Sequence, residues 1–539
     1  MGPSVPRDRR APEASPRDDR YARAAMALDP RTPVLVGVGQ VTSRPDAAVA
    51  LEDRLSPLDL MVGALRAAAE DASGIAPGDS SGPGARLLQR VDSVRVVRSL
   101  DWHPTNPALT VAQRLGVEPR ETVFAAIGGN TPQALLHDAA AAIARGELDV
   151  VAVTGAECGY TRALVRRSPD RPRLPWIGLE ADDAPAPRPF GVDKAPSTEV
   201  EVQHGMVLPI QAYPLIENAL RVSQGLTRTA QRARIGSLWS RFSSVAATNP
   251  FAWINEPSTA DGVMTPSPAN RMVADPYTKL CTANIQVDQG AAYLCCSVEA
   301  ARSAGIPSDR WVFPLAGAEA NDHWYLSERH ELGASPAIRL SGTKALQLAG
   351  IGVDDLSFVD LYSCFPCIVQ IAAAELGLDL DGPIERLTLT GGLTFAGGPG
   401  NNYTSHGIAS VVPHLRVHPD AFGMTTGNGW FATKHAIGVY SGRPPAETGF
   451  RSENVQPAVD ALPSRTWVAE ALGDVTLETF TVTYDRDGDT ERAIVVSATP
   501  SGERVWANSD DRDVIDALVS SEVLPSAGRI AADGRFELR

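Results

Sequence analysis

The sequence predicts a duplicated, layered α/β fold followed by a small all-β domain, and three observations carry that reading. The first is an internal repeat. The run Gly391-Gly392-Leu393-Thr394-Phe395-Ala396-Gly397-Gly398-Pro399-Gly400-Asn401-Asn402 is too rich in glycine for a helix or regular strand. It is a loop whose backbone comes close to something, and it feeds a helix starting near Thr404. Ile127-Gly128-Gly129-Asn130-Thr131-Pro132 does the same ahead of a helix from Gln133 to Arg145. Each helix is followed by an apolar strand ending in Gly, Leu148 to Gly155 and then a segment closing at Gly423, roughly 270 residues later. The second observation is the alternation of apolar strands with helices through most of the chain. The third is a change of period to two beyond residue 464.

Taken in order, residues 1–30 carry Pro, Arg, Asp and Ala without apolar periodicity and read as a disordered arm, with Met26 as an alternative start. The first half of the fold, 31–310, opens with Pro33-Val34-Leu35-Val36-Gly37-Val38-Gly39, a buried strand of the parallel type. A helix from Pro57 to Ala72, a Gly/Ser/Pro loop over 76–84 and a strand from Val91 to Val97 follow. Residues 161–264 break the pattern: a Pro/Asp/Arg-rich loop, then helices near 212–224 and 227–245, as expected of a cap-forming insertion. Pro268 to Thr282 is extended, and Ile285 to Leu294 leads into a strand. The second half, 311–445, restarts at Trp311 to Leu315 and runs through a helix at 341–349, a strand at 356–361, the glycine loop with its helix, and a strand from Phe431 to Tyr440. A Pro-rich linker, 446–463, precedes a tail in which Val475 to Tyr484, Arg492 to Ser497 and Arg504 to Ala507 alternate about short turns. With a helix at 512–519 and a strand at 535–538, residues 464–539 read as an antiparallel β-barrel of the oligonucleotide/oligosaccharide-binding (OB) kind.

Composition bounds the partners. The net charge of −15 over 539 residues argues against nucleic acid, and no apolar run is long enough to span a bilayer. Without a recognisable secretory signal, the cytoplasm is the expected compartment. The six cysteines (158, 281, 295, 296, 364 and 367) fall in core-like segments and read as reduced thiols. Cys364-Phe365-Pro366-Cys367 has redox spacing but lacks the strand–turn context of a redox motif.

Residues 31–445 resemble the thiolase superfamily, nearest to its sterol-carrier branch. The matching stretches are Val34 to Gln40, Asp288-Gln289-Gly290-Ala291-Ala292, Asp360-Leu361-Tyr362-Ser363-Cys364-Phe365, the 391–400 loop and Thr425 to Gly429. Each is weak alone, but together they keep the family's order and spacing. The resemblance implies two mixed sheets enclosing helices, a loop domain that holds a coenzyme A thioester as substrate with no tightly bound cofactor, and an acetyl-CoA acetyltransferase-like lineage in lipid metabolism. A homodimer is the family's usual assembly, though a monomer stays open. The tail resembles an extra domain carried by some thiolase-like proteins.

The resemblance also shows what is missing. Gly129 stands where the family has its nucleophilic cysteine, Gly398 where it has the activating histidine, and Thr425 where it has the second cysteine. Tyr362 replaces the residue that orders water in the oxyanion hole. Losing nucleophile and base together costs on the order of a million-fold in rate, so ordinary thiolysis is not expected. The glycine loops keep backbone donors at helix N-termini, and Gly129, Asn130, Gly397, Gly398 and Gly427 are the expected thioester-binding positions. Gly129 and Gly398 read as shape, opening space where a side chain would stand. Related aldolases that lack the cysteine use tyrosines for proton transfer, which makes Tyr362 the first catalytic candidate, in acyl transfer or retro-aldol chemistry. The plainer alternative is a packed aromatic. His406, at the helix start beyond the loop, and His435, beside Lys434 after the Gly427-Asn428-Gly429 turn, are further catalytic candidates. Simple capping or packing would equally explain both histidines, and the surface would explain Lys434. The competing reading of the whole chain is an inactive binding or scaffold protein. Convergence of the Tyr362 hydroxyl on the glycine loops separates the two.

Overall fold

The contact between the first strand and the first helix shows how the layers form. β1 (Pro33–Thr42) presents Gly37 and Gly39 to α1 (Pro57–Ser73). A Cβ on Gly37 would lie 2.0 Å from the carbonyl oxygen of Ala68, and one on Gly39 would lie 2.1 Å from that of Ala64. Alternate glycines therefore let the helix backbone rest directly on the strand. The helix itself is well specified: Ser56 and Asp59 form a capping box, Pro57 fills the first turn, and Gly74 closes it in the left-handed conformation.

The computed structural model describes residues 28–74, 82–100, 102–177, 184–445, 449–522 and 527–539. The expected arm over 1–30 lies almost wholly outside them, as do residues 76–81 of the expected loop, whereas its last residues, Pro83 and Gly84, open a short helix over Pro83–Leu88. Added to β1 in the first half are β2 (Ser93–Val96), β3 (Glu121–Ala125), α2 (Thr131–Ala144), β4 (Val150–Cys158), β5 (Arg188–Phe190), α3 (Pro209–Ser223), α4 (Arg228–Ala246) and β6 (Asp288–Ser297). Its sheet has the order β1-β6-β4-β2-β3-β5. The second half holds β7 (Phe313–Asn321), α5 (Pro336–Ala349), β8 (Leu356–Asp360), α6 (Pro366–Leu376), α7 (Tyr403–Val417), β9 (Phe422–Gly429), β10 (Lys434–Ser441) and β11 (Arg451–Asn454), with sheet order β8-β9-β10-β7-β11.

The duplication is plain in these orders. In each half the opening strand pairs with the closing one, which pairs with the strand after the central helix, which pairs with the second strand. The two central helices, α2 and α7, pack on each other and between the sheets. Both follow a glycine loop, so the two loops meet at one end of the sandwich. Each sheet also gains a parallel edge strand, β5 on β3 and β11 on β7.

The insertion roofs the second glycine loop. Tyr213 of α3 stacks on Phe365 with ring centroids 4.4 Å apart, and Trp239 of α4 donates from Nε1 to Thr394 Oγ1 at 3.1 Å. Farther along, the Trp253 and Ile254 amides donate to the carbonyls of Ala396 and Phe395 at 2.9 and 2.7 Å.

The tail is all-β apart from one short helix. β12 (Gly473–Tyr484), β13 (Thr490–Ala498), β14 (Arg504–Ser509), β15 (Ala527–Ile530) and β16 (Phe536–Leu538) follow the order β14-β13-β12-β15-β16, with Ala274 of the body pairing to Thr483. The buried Arg504 fastens it, donating to the carbonyls of Leu326 and Arg329 at 2.8 and 2.6 Å and to Glu478 at 2.7 Å. Among the described residues no helix is long and apolar enough to cross a membrane.

Two local expectations need correction. The segment read as a linker contains β11 and a helix over Gln456–Asp460, because Arg451 to Asn454 find an open edge on β7. The strand expected from Phe431 starts at Lys434, because Trp430 and Ala432 take φ of 56° and 53° in a tight turn.

Candidate active site

The two glycine loops are tied across the duplication. The Gly128 N–H donates to Asn401 Oδ1 at 2.8 Å, Asn401 Nδ2 to the Arg98 carbonyl at 2.8 Å, and the Thr404 hydroxyl to the Gly129 carbonyl at 2.7 Å. Asn130 is the N-cap residue of α2, so Gly129 lies just outside a helix N-terminus. Gly427 of β9 passes so close that a Cβ on it would sit 2.7 Å from Asn130 Cα. These contacts bring Gly129, Asn130 and Gly427 together.

Tyr362 completes the group. β8 pairs with β9 in the register Asp360 to Thr425, which puts Tyr362 just past the sheet, its N–H donating to Thr426 Oγ1 at 2.8 Å. A Cβ at Gly129 would lie 2.3 Å from the Tyr362 hydroxyl oxygen and 2.5 Å from the Asn428 carbonyl oxygen. The space expected to stand open at Gly129 is therefore filled, by a phenol and by backbone. The hydroxyl has no hydrogen-bond partner among the described residues. Burial, with a smaller effect from Cys364, holds it well above the ordinary tyrosine range. At neutral pH it is a donor rather than a base.

The second loop differs from expectation in where its donors go. The Gly398 N–H donates to the Asn284 carbonyl at 2.9 Å and the Gly400 N–H to the Gly398 carbonyl at 2.7 Å. A Cβ at Gly397 would lie 2.1 Å from Gln289 Oε1, whereas at Gly398 the nearest atoms stand 3.4 Å away. Of these two positions, Gly397 is the crowded one and Gly398 is not. Thr425 turns toward α2, donating to Gln133 Oε1 at 2.5 Å beside the Tyr440 hydroxyl at 3.0 Å.

His406 lies one contact from Tyr362. Tyr403 meets Tyr362 edge-on, with centroids 5.3 Å apart, and shares with His406, Thr390 and Gly397 a chamber of about 10 Å³, room for one water. His406 Nδ1 faces Gln40 Oε1 at 2.7 Å and its Nε2 is buried without a partner. Burial pushes the imidazole down to about 3, so it is neutral. His435 is elsewhere, its Nε2 3.3 Å from Asp322 Oδ2 and 3.2 Å from the Ala432 carbonyl. Burial alone would raise the Asp322 carboxyl, but the His435 contact brings it below its ordinary value. The structure thus gathers Gly129, Asn130, Gly427 and Tyr362, places Gly397 and His406 one step away, and leaves His435 apart. Cys364 and Cys367 are buried free thiols, the first pushed up to about 12 by burial and the second held well above the ordinary thiol range by it, and they form no disulfide.

Residues 454–535 match the family model described as the thiolase-like protein type 1 additional C-terminal domain. The whole chain superposes on the crystal structure of a monomeric SCP2-thiolase-like protein type 1 from Mycobacterium smegmatis with a TM-score of 0.79. The two are 33% identical over 95% of this chain and 100% of that one. The chain belongs to the SCP2-thiolase-like protein type 1 family. The Ltp2–ChsH2(DUF35) aldolase (20% identity, TM-score 0.56, 77% of this chain and 99% of that one) shares the fold over that span. So does the dimeric peroxisomal thiolase of Saccharomyces cerevisiae (13%, 0.54, 78% and 99%).

Three features of this type 1 chain escaped sequence reasoning. Lys434, expected at the surface, is 2% exposed and donates from Nζ to the carbonyls of Ile127 and Val192 at 2.6 and 2.9 Å. Glu157 is buried in β4, accepting from the Leu100 N–H at 2.7 Å and the Ser99 hydroxyl at 2.9 Å, and burial pushes it up to about 8. A lone carboxylate in a strand apolar on both faces was the signal for it. Tyr213 of the insertion accepts from Asn428 Nδ2 at 2.8 Å and fixes the strand end beside Gly129. Nothing local marks that role.

Proposed function

We propose that this chain binds an acyl-CoA thioester at the N-terminus of α2 and acts on a carbon–carbon bond by carbonyl polarisation, in the retro-aldol manner, and not by thiolysis. The observation that carries this reading is the Tyr362 hydroxyl, unpartnered and set at the position where a Gly129 side chain would stand. A phenol with its proton firmly held, next to backbone donors at a helix N-terminus, is suited to hydrogen-bond a thioester oxygen as negative charge grows on it. As the carbon–carbon bond breaks, its electrons move to that oxygen. The proton of the substrate's β-hydroxyl leaves for solvent; His406, brought down to about 3 by burial, is too weakly basic to keep it and in this reading only orders its path. Acyl transfer would use the same donors. His435, remote from the group, takes no part in the step. On the same reading the protein belongs to lipid metabolism in the cytoplasm. It works as a monomer, as the monomeric Mycobacterium smegmatis relative does, with β5 and β11 covering sheet edges that a partner would otherwise use.

A second reading, a binding or scaffold protein without catalysis, is favoured by one observation. The Trp253–Ile254 backbone is bonded onto the glycine loop, and the chamber beside Gly397 holds about 10 Å³. Calorimetric titration with acetyl-CoA and a longer acyl-CoA, followed by activity assays on whichever binds, separates the two. Saturable binding with carbon–carbon cleavage that is lost in Tyr362→Phe is the expected result. Binding without turnover favours the scaffold, absence of binding removes the thioester from both readings, and robust thiolysis overturns the assignment of Gly129.

A further inference from the structure

On the far side of Asn130 from Tyr362 lies a polar cleft of about 370 Å³ that the reaction proposed above does not use. That volume is at the small end of the roughly 300–1,000 Å³ typical of ligand sites. Its walls include Asn130, His137 and Asp138 of α2, Glu319 of β7, Lys434 of β10 and Ser452 of β11. Two of these are built into it without a complete set of partners. Asn130 is 7% exposed, its Oδ1 is buried without a hydrogen bond, and its Nδ2 has no partner among the described residues. Two glycines make room for that amide: a Cβ at Gly128 would lie 2.4 Å from Asn130 Oδ1, and one at Gly429 would lie 2.8 Å from it. The same point on Gly128 is 3.0 Å from Lys434 Nζ, so the amide oxygen and the ammonium converge, which leaves the unpartnered Nδ2 as the amide's donor for an anion.

Lys434 spends two protons on the Ile127 and Val192 carbonyls, and among the described residues no carboxylate lies in ion-pair range of it. Burial brings its ammonium down to about 8, against a partly opposing effect of Asp193. A buried cation facing a cleft without a counter-ion is costly unless an anion joins it. The acidic side chains nearby are already engaged. Asp138 is bonded to Arg95 at 2.7 Å and Arg188 at 2.8 Å, and Glu319 lies 3.5 Å from His137 Nδ1.

We propose that this cleft is a binding site for a small monocarboxylic acid, its carboxylate held between the Lys434 ammonium and the Asn130 amide at the N-terminus of α2. The helix end adds partial positive charge. One ammonium matches one negative charge, whereas a phosphate dianion would leave a second charge facing Glu319. The site shares Asn130 and the α2 N-terminus with the thioester reading but needs neither Tyr362 nor the second glycine loop.

The chain has only four lysines, at 194, 279, 344 and 434, which makes the test direct. Sodium butyrate is titrated into protein carrying ¹³C at the lysine ε position, with ionic strength held constant by sodium chloride, and Lys434→Met identifies its own signal. The expected result is a saturable shift of the Lys434 signal with the other three unmoved, weakened roughly tenfold or more in Asn130→Asp. Asn130 makes no side-chain hydrogen bond, so that variant keeps the fold and remains informative even if Lys434→Met is unstable. A shift that does not saturate, an equal shift of the other lysines, or unchanged affinity in Asn130→Asp overturns the site. Tighter binding of inorganic phosphate than of butyrate overturns the carboxylate assignment. Acyl-CoA binding is measured separately on the unaltered protein and on Lys434→Met, so that failure of the carboxylate site and failure of the thioester reading are told apart.

Discussion

Replacing Glu157 by Gln should stabilise the protein, and by an amount that depends on pH. The carboxyl is 3% exposed and lies under the second glycine loop, where a Cβ on Gly400 would meet its Oε1 at 2.3 Å. Burial, partly opposed by the Leu100 amide and the Ser99 hydroxyl, pushes it from 4.5 up to about 8. Between those values the folded protein keeps a proton that the unfolded chain has released. Stability is therefore lost as pH rises from 4.5 to 8 and is flat above. At 1.36 kcal/mol per pH unit the cost is under about 1 kcal/mol at pH 5, about 3 kcal/mol at pH 7 and about 5 kcal/mol above pH 8. Glutamine has nearly the same shape, can accept from the Leu100 N–H and donate to Ser99, and never ionises. The assay is a comparison of urea-unfolding curves for the two proteins from pH 5 to pH 9. The variant's advantage should be small at the acid end and grow with pH. Parallel curves across that range would refute the argument, since they would mean that Glu157 is ionised in the folded state.

Four further outcomes follow from the geometry. Gly129→Ala should destabilise by about 1–3 kcal/mol, because the Asn428 carbonyl beside the new methyl is backbone, while Gly398→Ala should cost under about 1 kcal/mol; thermal melts of the pair check the contrast. Gly129→Cys should not restore thiolysis, measured with acetoacetyl-CoA, because the thiol would have no room and no activating base. His406 should remain neutral on acidification, read from its ¹⁵N shifts down to pH 5; with its folded value depressed to about 3, it favours the fold above 6.5 and that contribution is lost as pH falls. Arg504→Met should cost about 1–3 kcal/mol by leaving the Leu326 and Arg329 carbonyls unpaired, with Glu478 still held by Arg465, visible as earlier proteolysis of the tail.

The duplication could be read from sequence because its signals are local. A glycine loop, a helix and an apolar strand recur in order, and each depends on neighbours within a few residues. The alternating tail was equally legible, although β15 was missed. The linker was misread because β11 is a strand only by virtue of the β7 edge beside it.

The sequence by itself determined the layered α/β class and the family, since these follow from residue type and order. Only the tertiary structure decided what stands against Gly129. Tyr362 and Gly129 come from different halves of the chain, and their approach depends on the register of β8 with β9 and on the Asn401 and Thr404 ties. Lys434 likewise looks like a surface residue until the Ile127 and Val192 carbonyls are brought to its ammonium. Side-chain chemistry is written residue by residue, but burial and pairing belong to the folded whole, because they depend on which distant backbone comes to rest against each group.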